Sequence, residues 1–167
     1  MYSKKVSFIT EGAIIAALYI ALTYAAFSVN LASGPIQIRF SEALAILPYF
    51  TSAAIPGLFI GCLLANVITG CVIWDVIFGS LATLVGALLT YSLRKLPCWL
   101  APIPNIISNS AIVPFVLIYA YGEQSAYYLL LISIFVGEVI SSGVIGMILL
   151  FSLKKYKNVI FKNRGTR

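Results

Sequence analysis

Apolar residues fill this chain in long runs, and these runs decide what it can fold into. Of its 167 residues, 61% are hydrophobic and only 10% are charged, against about 25% charged in soluble domains. Such a chain cannot cover a core with a polar surface, so lipid must solvate it. A helix needs about 20 residues to cross a hydrocarbon layer of about 30 Å, and six crossings use most of the chain. We therefore expect a single transmembrane domain over residues 1–167.

The runs predict an all-α integral membrane protein with a bundle of six transmembrane segments. The second segment is in doubt, because its ten residues at 41–50 have a length typical of a re-entrant piece. Loop charge favours a crossing, since cytoplasmic loops collect Lys and Arg. A crossing puts the basic loop 94–98 and the basic tail on the same side as Lys4 and Lys5, so both termini are expected in the cytoplasm. The segments are predicted at 7–28, 40–54, 56–73, 75–93, 103–121 and 126–152.

Several function classes are not expected. The net charge of +6 comes mainly from basic residues at the ends of the apolar runs, where they set membrane orientation, so we predict no nucleic-acid partner. Cys62, Cys71 and Cys98 lack metal-ligand spacing, and the chain has no histidine, which argues against a metal site. The sequence has no Gly-Lys-Ser/Thr phosphate loop and no nucleophile-base pair. We expect no catalytic residue and no cofactor.

Ionisable groups inside the hydrocarbon layer are the best evidence of function, because they are costly there and usually face a cavity or a partner. Glu138 lies twelve residues into the sixth segment, and Asn109 lies twelve residues from the outer end of the fifth. At a rise of 1.5 Å per residue, both are about 18 Å below the outer face, so we expect their side chains to meet. They either hold the bundle together through a hydrogen bond or face a ligand.

Further polar residues are predicted near the outer face, and each has two interpretations. Arg39 and Asp75 are typical of the membrane interface, Trp74 of an aromatic belt, and Asn66 of a hydrogen bond between helices. Arg39 and Glu42 are three residues apart and could pair. Together they predict a pocket open to the outside that suits a small planar polar molecule. The predicted binding residues are Arg39, Glu42, Asn66, Trp74, Asp75, Asn109 and Glu138.

The loop at 29–39 joins the first two segments and contains Gly34 and Pro35. It is longer than a minimal connection requires. It is either a lid over the pocket or a plain surface loop.

Small residues form stripes on two segments. The first segment carries an alanine every four residues, and the third carries Gly57, Gly61 and Ala65. Such stripes allow another helix to approach closely. Each stripe either packs within the bundle or docks on a separate membrane subunit. The alanine stripe consists of Ala13, Ala17, Ala21 and Ala25.

Blocks of residues over nearly the whole chain carry a family resemblance. They are IRFSEAL at 38–44, LPYFT at 47–51, AIPGLFIGC at 54–62, GSLATL at 79–84 and GE at 137–138. With them the chain resembles the substrate-binding S components of energy-coupling factor (ECF) vitamin transporters, and most closely the queuosine-precursor family QueT. The resemblance implies a six-helix bundle of the ECF S-component type in the cell membrane of a prokaryote.

The resemblance also implies a mode of action. An S component captures its substrate from outside and docks, through an alanine-spaced face of its first helix, on a membrane coupling subunit driven by two ATPase subunits. The alanine stripe matches that face. The expected ligands are 7-deazaguanine precursors of queuosine or the free base. Two alternatives stay open, namely an S component for another vitamin or nucleobase, and a self-sufficient secondary transporter.

The chemistry of a deazaguanine suggests a role for each candidate residue. Its ring N–H and amino group suit one carboxylate, which accepts both, and its carbonyl suits Asn or Arg. An aminomethyl group adds a cation. The hypothesis assigns the paired acceptor to Glu138, the amide contacts to Asn109 and Asn66, the cation to Glu42 or Asp75, and stacking to Trp74.

Overall fold

All the regular secondary structure is helical in the part that the computed structural model describes, which is residues 2–29 and 38–160, with the side chains of 4–29 and 38–156. Most of the loop at 29–39, for which a lid and a plain surface loop were both considered, lies outside that part, namely residues 30–37. The α-helices are α1 Tyr2–Ser28, α2 Ala54–Ile68, α3 Ile73–Ser92, α4 Ile103–Tyr121, α5 Tyr127–Glu138 and α6 Gly146–Ile160. A 3₁₀ helix at Phe40–Tyr49 precedes α2, a short one at Cys98–Leu100 precedes α4, and a π-helical stretch at Val139–Ile145 joins α5 to α6 without a break.

Four stretches of the described chain are long and apolar enough to cross a membrane: Lys4–Ser28, Ile73–Ser92, Cys98–Tyr121 and Tyr127–Tyr156. The fifth apolar helix, α2, has only 15 residues, fewer than the about 20 of a typical crossing. These helices confirm an all-helical, multi-pass membrane protein. The six crossings and the cytoplasmic termini stay predictions.

The second predicted segment, 40–54, is a short helix enclosed by the bundle. It ends at Tyr49, and each residue from 41 to 48 is buried, because α1, α3 and α6 pack around it. Ten residues at the 3₁₀ rise of about 2.0 Å cover about 20 Å, less than the hydrocarbon thickness of about 30 Å. Such irregular backbone is tolerated at membrane depth only where protein surrounds it. This helix therefore sits in the core, where it places polar side chains between the long helices.

The glycines of α2 pack within the bundle against α1. A Cβ at Gly57 would lie 2.7 Å from the carbonyl oxygen of Gly12, and one at Gly61 would lie 2.8 Å from Cβ of Tyr19. Real Cβ atoms do not approach so closely, so only glycine allows this contact. The small residues of the third predicted segment thus serve packing inside the protein.

The alanine stripe of α1, in contrast, is not covered by other helices. Ala13, Ala17, Ala21 and Ala25 are all exposed, whereas Ile15 on the other face is buried. The stripe therefore does not pack within this bundle. A groove of about 470 Å³ runs along it, between α1 and α2.

Candidate binding site

Two buried carboxylates meet in the centre of the bundle, Glu42 of the long 3₁₀ helix and Glu138 at the end of α5. Asn105 Nδ2 donates to Glu42 Oε2 at 3.0 Å and to Glu138 Oε2 at 3.1 Å. Asn109 Nδ2 donates to Glu138 Oε1 at 2.9 Å and, more weakly, to Glu42 Oε2 at 3.4 Å. The Tyr19 hydroxyl donates to Glu42 Oε1. We call these five side chains, all at most 7% exposed, the carboxylate cluster.

The predicted meeting of Asn109 and Glu138 is confirmed by their 2.9 Å hydrogen bond. It arises because α4 and the rod formed by α5 and α6 run in opposite directions, so equal distances from their outer ends give equal depth. This hydrogen bond is also the one expected if the pair serves only to hold the bundle together. A contact with ligand stays a prediction for both residues.

Two members of the cluster were not singled out from the sequence. Asn105 is four residues before Asn109 and therefore on the same face of α4, and this spacing is the signal that could have identified it. It lies in the first turn of α4, just after Pro102 and Pro104. Tyr19 lies between alanines of the stripe, and its 1% exposure follows from facing away from them.

The cluster concentrates negative charge. In the described chain, its donors are two amides and one hydroxyl, and Lys or Arg side chains donate no hydrogen bond to it. Burying two carboxylates so close together is costly without a compensating charge. The cluster therefore favours a proton or a cation bound beside it.

A separate cavity of about 370 Å³ opens nearer the predicted outer face, among α1, α2, α3 and α4. We call it the outer cavity. Its wall is partly polar and includes three of the predicted binding residues together. Its polar side chains include those of Thr23, Arg39, Asn66, Asp75, Tyr121 and Glu123.

Asp75 is a residue of this wall and has one unpaired oxygen. It lies in the first turn of α3, where the helix dipole stabilises a carboxylate, and it is only 4% exposed. Its Oδ2 accepts a hydrogen bond of 3.1 Å from the Tyr121 hydroxyl. Its Oδ1 is buried without a partner in the described chain. A buried acceptor left unpaired costs about 1–3 kcal/mol, so a ligand that donates to Oδ1 recovers this cost.

Arg39 supplies the positive charge of the outer cavity. Its main-chain N–H donates to Ser141 Oγ at 3.2 Å, which fixes the backbone at the start of the 3₁₀ helix. Within the described residues, Arg39 and Glu42 form no ion pair, so the pairing considered for these two side chains is absent. The guanidinium also donates no hydrogen bond to a described residue. The wall thus contains a cation without a hydrogen-bond partner and, at Asp75, a carboxylate with an unpaired oxygen.

Asn66 links α2 to α3 and also lines the outer cavity. Its Nδ2 donates to the main-chain oxygen of Asp75 at 3.3 Å and lies 3.7 Å from Cys62 Sγ. Thr83 donates to the same sulfur at 3.5 Å. The helix-bridging interpretation of Asn66 is therefore correct, and a contact with ligand stays a prediction for this residue.

Trp74 lies elsewhere. Its side chain is 55% exposed and stacks on Phe78, with ring centroids 6.1 Å apart. Both line an apolar groove of about 680 Å³ between α3 and α4, together with Phe115 and Tyr119. The structure therefore does not bring Trp74 to the other candidate residues. Its position agrees with the alternative interpretation, an aromatic anchor on the lipid-facing surface.

Comparison with known proteins adds one match. Residues 9–155 match the model of the QueT transporter family. No similar protein was found among curated proteins, and none among solved structures. The matched region includes the carboxylate cluster and the outer cavity.

Proposed function

Since this chain belongs to the QueT transporter family, we propose that it is the substrate-binding S component of an ATP-driven ECF importer. Its substrate is a queuosine precursor or a related 7-deazaguanine base. The observation that carries the proposal is the outer cavity, where Asp75 Oδ1 and the guanidinium of Arg39 both lack a hydrogen-bond partner in the described residues. Its volume of about 370 Å³ is within the usual range for small-molecule sites, about 300–1,000 Å³.

The donors and acceptors of the wall suit one edge of such a base. A 7-deazaguanine presents a ring N–H beside an amino group, and a carbonyl on the other side of the N–H. Asp75 accepts from the two donors, and Arg39 donates to the carbonyl. Charge-assisted bonds of this kind are about twice as strong as neutral ones, so the edge fixes the orientation of the base.

This arrangement moves the paired-acceptor role from Glu138 to Asp75. Both oxygens of Glu138 already accept hydrogen bonds from Asn105 and Asn109, whereas Asp75 lines the outer cavity and has one buried oxygen without a partner. We keep Glu42, Asn109 and Glu138 in the proposed site, although they do not line the outer cavity. If neither carboxylate carries a proton, their negative charge favours a ligand that carries a cation, such as the ammonium of an aminomethyl group.

The exposed alanine stripe supports the proposed partner. A surface of small side chains on a helix allows another helix to approach closely, and the bundle leaves Ala13, Ala17, Ala21 and Ala25 uncovered. In the proposal, this face of α1 docks on a membrane coupling subunit that two ATPase subunits drive. The partner supplies the ATP hydrolysis, and this chain supplies substrate recognition.

Calorimetry on the purified protein in detergent tests the proposal. The titrants are 7-deazaguanine, its aminomethyl derivative and queuine. At least one should bind with a Kd below about 10 μM, roughly −7 kcal/mol. Weaker binding of all three would refute the substrate assignment.

Asp75→Asn sharpens the test, because it keeps the shape of the side chain and removes its charge. Hydrogen bonds to charged groups contribute about 1.5–3 kcal/mol, so the Kd should rise by roughly 10- to 100-fold. Glu11→Gln is the matched control, a carboxylate-to-amide change on α1 outside the wall of the outer cavity. Equal affinities for wild type and Asp75→Asn would remove Asp75 from the site.

A further inference from the structure

The π-helical stretch Val139–Ile145 packs against the enclosed 3₁₀ helix Phe40–Tyr49. A Cβ built on Gly146, which follows the stretch, would lie 3.3 Å from the main-chain oxygen of Ala43, so the two backbones approach closely there. π-Helices are rare and occur mostly as single-turn bulges, often at functional sites. A stretch of seven residues in contact with the element that carries Arg39 is therefore a candidate for a functional role.

Ser141 in this stretch holds the main chain at the start of the 3₁₀ helix. Its Oγ accepts a hydrogen bond of 3.2 Å from the main-chain N–H of Arg39, and its side chain is 1% exposed. The main-chain oxygen of Arg39 accepts a hydrogen bond of 3.0 Å from the N–H of Glu42. Both main-chain polar groups of Arg39 are thus bonded, one to the 3₁₀ helix and one to the rod formed by α5 and α6.

The side chain of Arg39 is not held in the same way. Its guanidinium makes no hydrogen bond to a described residue, although it belongs to the wall of the outer cavity. Ordering a long side chain on binding costs conformational entropy, and fixing part of the residue beforehand lowers that cost. The bond from Ser141 therefore matters for the direction in which Arg39 leaves the backbone.

We propose that Ser141 is a positioning residue for substrate binding, because its hydroxyl fixes the main chain of Arg39 so that the guanidinium reaches the carbonyl of the base. Ser141 does not line the outer cavity, and it acts only through Arg39. This inference rests on the proposed function, in which Arg39 donates to that carbonyl.

Calorimetry on the purified full-length protein tests the role of the hydroxyl, with the base that binds wild type most tightly. Ser141→Ala should raise its Kd by about 3- to 10-fold, as expected for the loss of one neutral hydrogen bond. Ser142→Ala is the matched control, since it removes the same atom from the next residue. Ser142 is 0% exposed, and its Oγ has no hydrogen-bond partner in the described chain, so the Kd should stay within about 2-fold of wild type.

A second background separates positioning from a general structural role. Arg39→Gln removes the guanidinium but keeps the main-chain N–H that Ser141 binds. In this background, Ser141→Ala should change the Kd by less than about 2-fold, because no guanidinium is left to position. The midpoint of thermal unfolding should fall equally in both backgrounds, since the same main-chain hydrogen bond is lost. A merely structural serine would instead weaken binding with or without Arg39.

The outcomes separate this inference from the proposed function. If none of the bases binds to wild type, the proposed function fails and the inference fails with it. If a base binds but Ser141→Ala matches wild type, or the loss of affinity persists in the Arg39→Gln background, only the positioning role is refuted. Ser141→Cys keeps the size of the side chain with a weaker acceptor. It should also raise the Kd, and it tests the inference if Ser141→Ala does not fold.

Discussion

Removing one hydroxyl from the carboxylate cluster should measurably destabilise the bundle. Tyr19→Phe keeps the ring, which is 1% exposed, and deletes only the donor to Glu42 Oε1. A hydrogen bond to a charged group contributes about 1.5–3 kcal/mol to the free energy of unfolding. No cavity term is added, because the ring still fills its place. At about 2–4 °C per kcal/mol for a chain of this size, the midpoint of unfolding should fall by roughly 3–12 °C.

Thermal unfolding in detergent measures this shift, followed by intrinsic fluorescence at fixed detergent concentration. Tyr24→Phe is the matched control, on the same helix with the same chemical change. Tyr24 is 57% exposed and makes no side-chain hydrogen bond within the described residues. Its substitution should leave the midpoint within about 1 °C of wild type, since exposed substitutions usually change stability by less than 0.5 kcal/mol.

A second experiment identifies the partner of the hydroxyl. If Tyr19 acts through Glu42, then combining Tyr19→Phe with Glu42→Gln should cost less than the two single changes added together. The interaction energy should reach about 1 kcal/mol or more, as is usual for residues in one network. Additive changes, or a Tyr19→Phe midpoint equal to that of Tyr24→Phe, would refute the role of the cluster in stability.

Two further predictions concern the two faces of α1. Gly61→Ala should destabilise the bundle by about 1–3 kcal/mol through overpacking, because its Cβ would lie 2.8 Å from Cβ of Tyr19; thermal unfolding checks this, and a midpoint at or above that of wild type would contradict the packing argument. On the opposite face, Ala17→Trp should abolish co-purification with a coupling subunit and leave ligand binding unchanged, whereas Leu88→Trp, exposed on α3, should affect neither. Normal co-purification of Ala17→Trp would exclude the stripe as the docking face.

The depth of polar residues could be predicted from the sequence, but the direction they face could not. The contact between Asn109 and Glu138 could be predicted because the rise of a helix is fixed. Both residues lie twelve positions from the outer ends of their predicted segments, so they were expected at the same depth. Trp74 and Asp75 are neighbours at the start of α3, yet one faces a lipid-side groove and the other the outer cavity. Successive side chains of a helix point about 100° apart, and only packing against the other helices decides which of the two faces inward.

The sequence also did not show whether lipid or protein surrounds an apolar segment. Residues 41–48 are apolar apart from Ser41 and Glu42, and such a pattern is the same whether lipid or protein surrounds the helix. The sequence predicted a crossing at 40–54 without showing what surrounds it, and the structure surrounds Phe40–Tyr49 with α1, α3 and α6. The alanine spacing of α1 likewise indicated a face of small side chains, but not whether another helix covers it. The structure shows that α2 packs on α1 through Gly57 and Gly61 and that the alanine stripe is exposed.

The enclosed 3₁₀ helix also constrains the order in which the protein is assembled in the membrane. Phe40–Tyr49 is too short to be inserted as a stable span by itself, and Glu42 is costly in lipid. The amides that stabilise Glu42, on Asn105 and Asn109, lie more than sixty residues later in the chain. Residues made early must therefore wait, near the lipid headgroups or within the translocation machinery, until α4 and the α5–α6 rod have been synthesised. The carboxylate cluster can thus form only after Glu138 at the end of α5 has been synthesised.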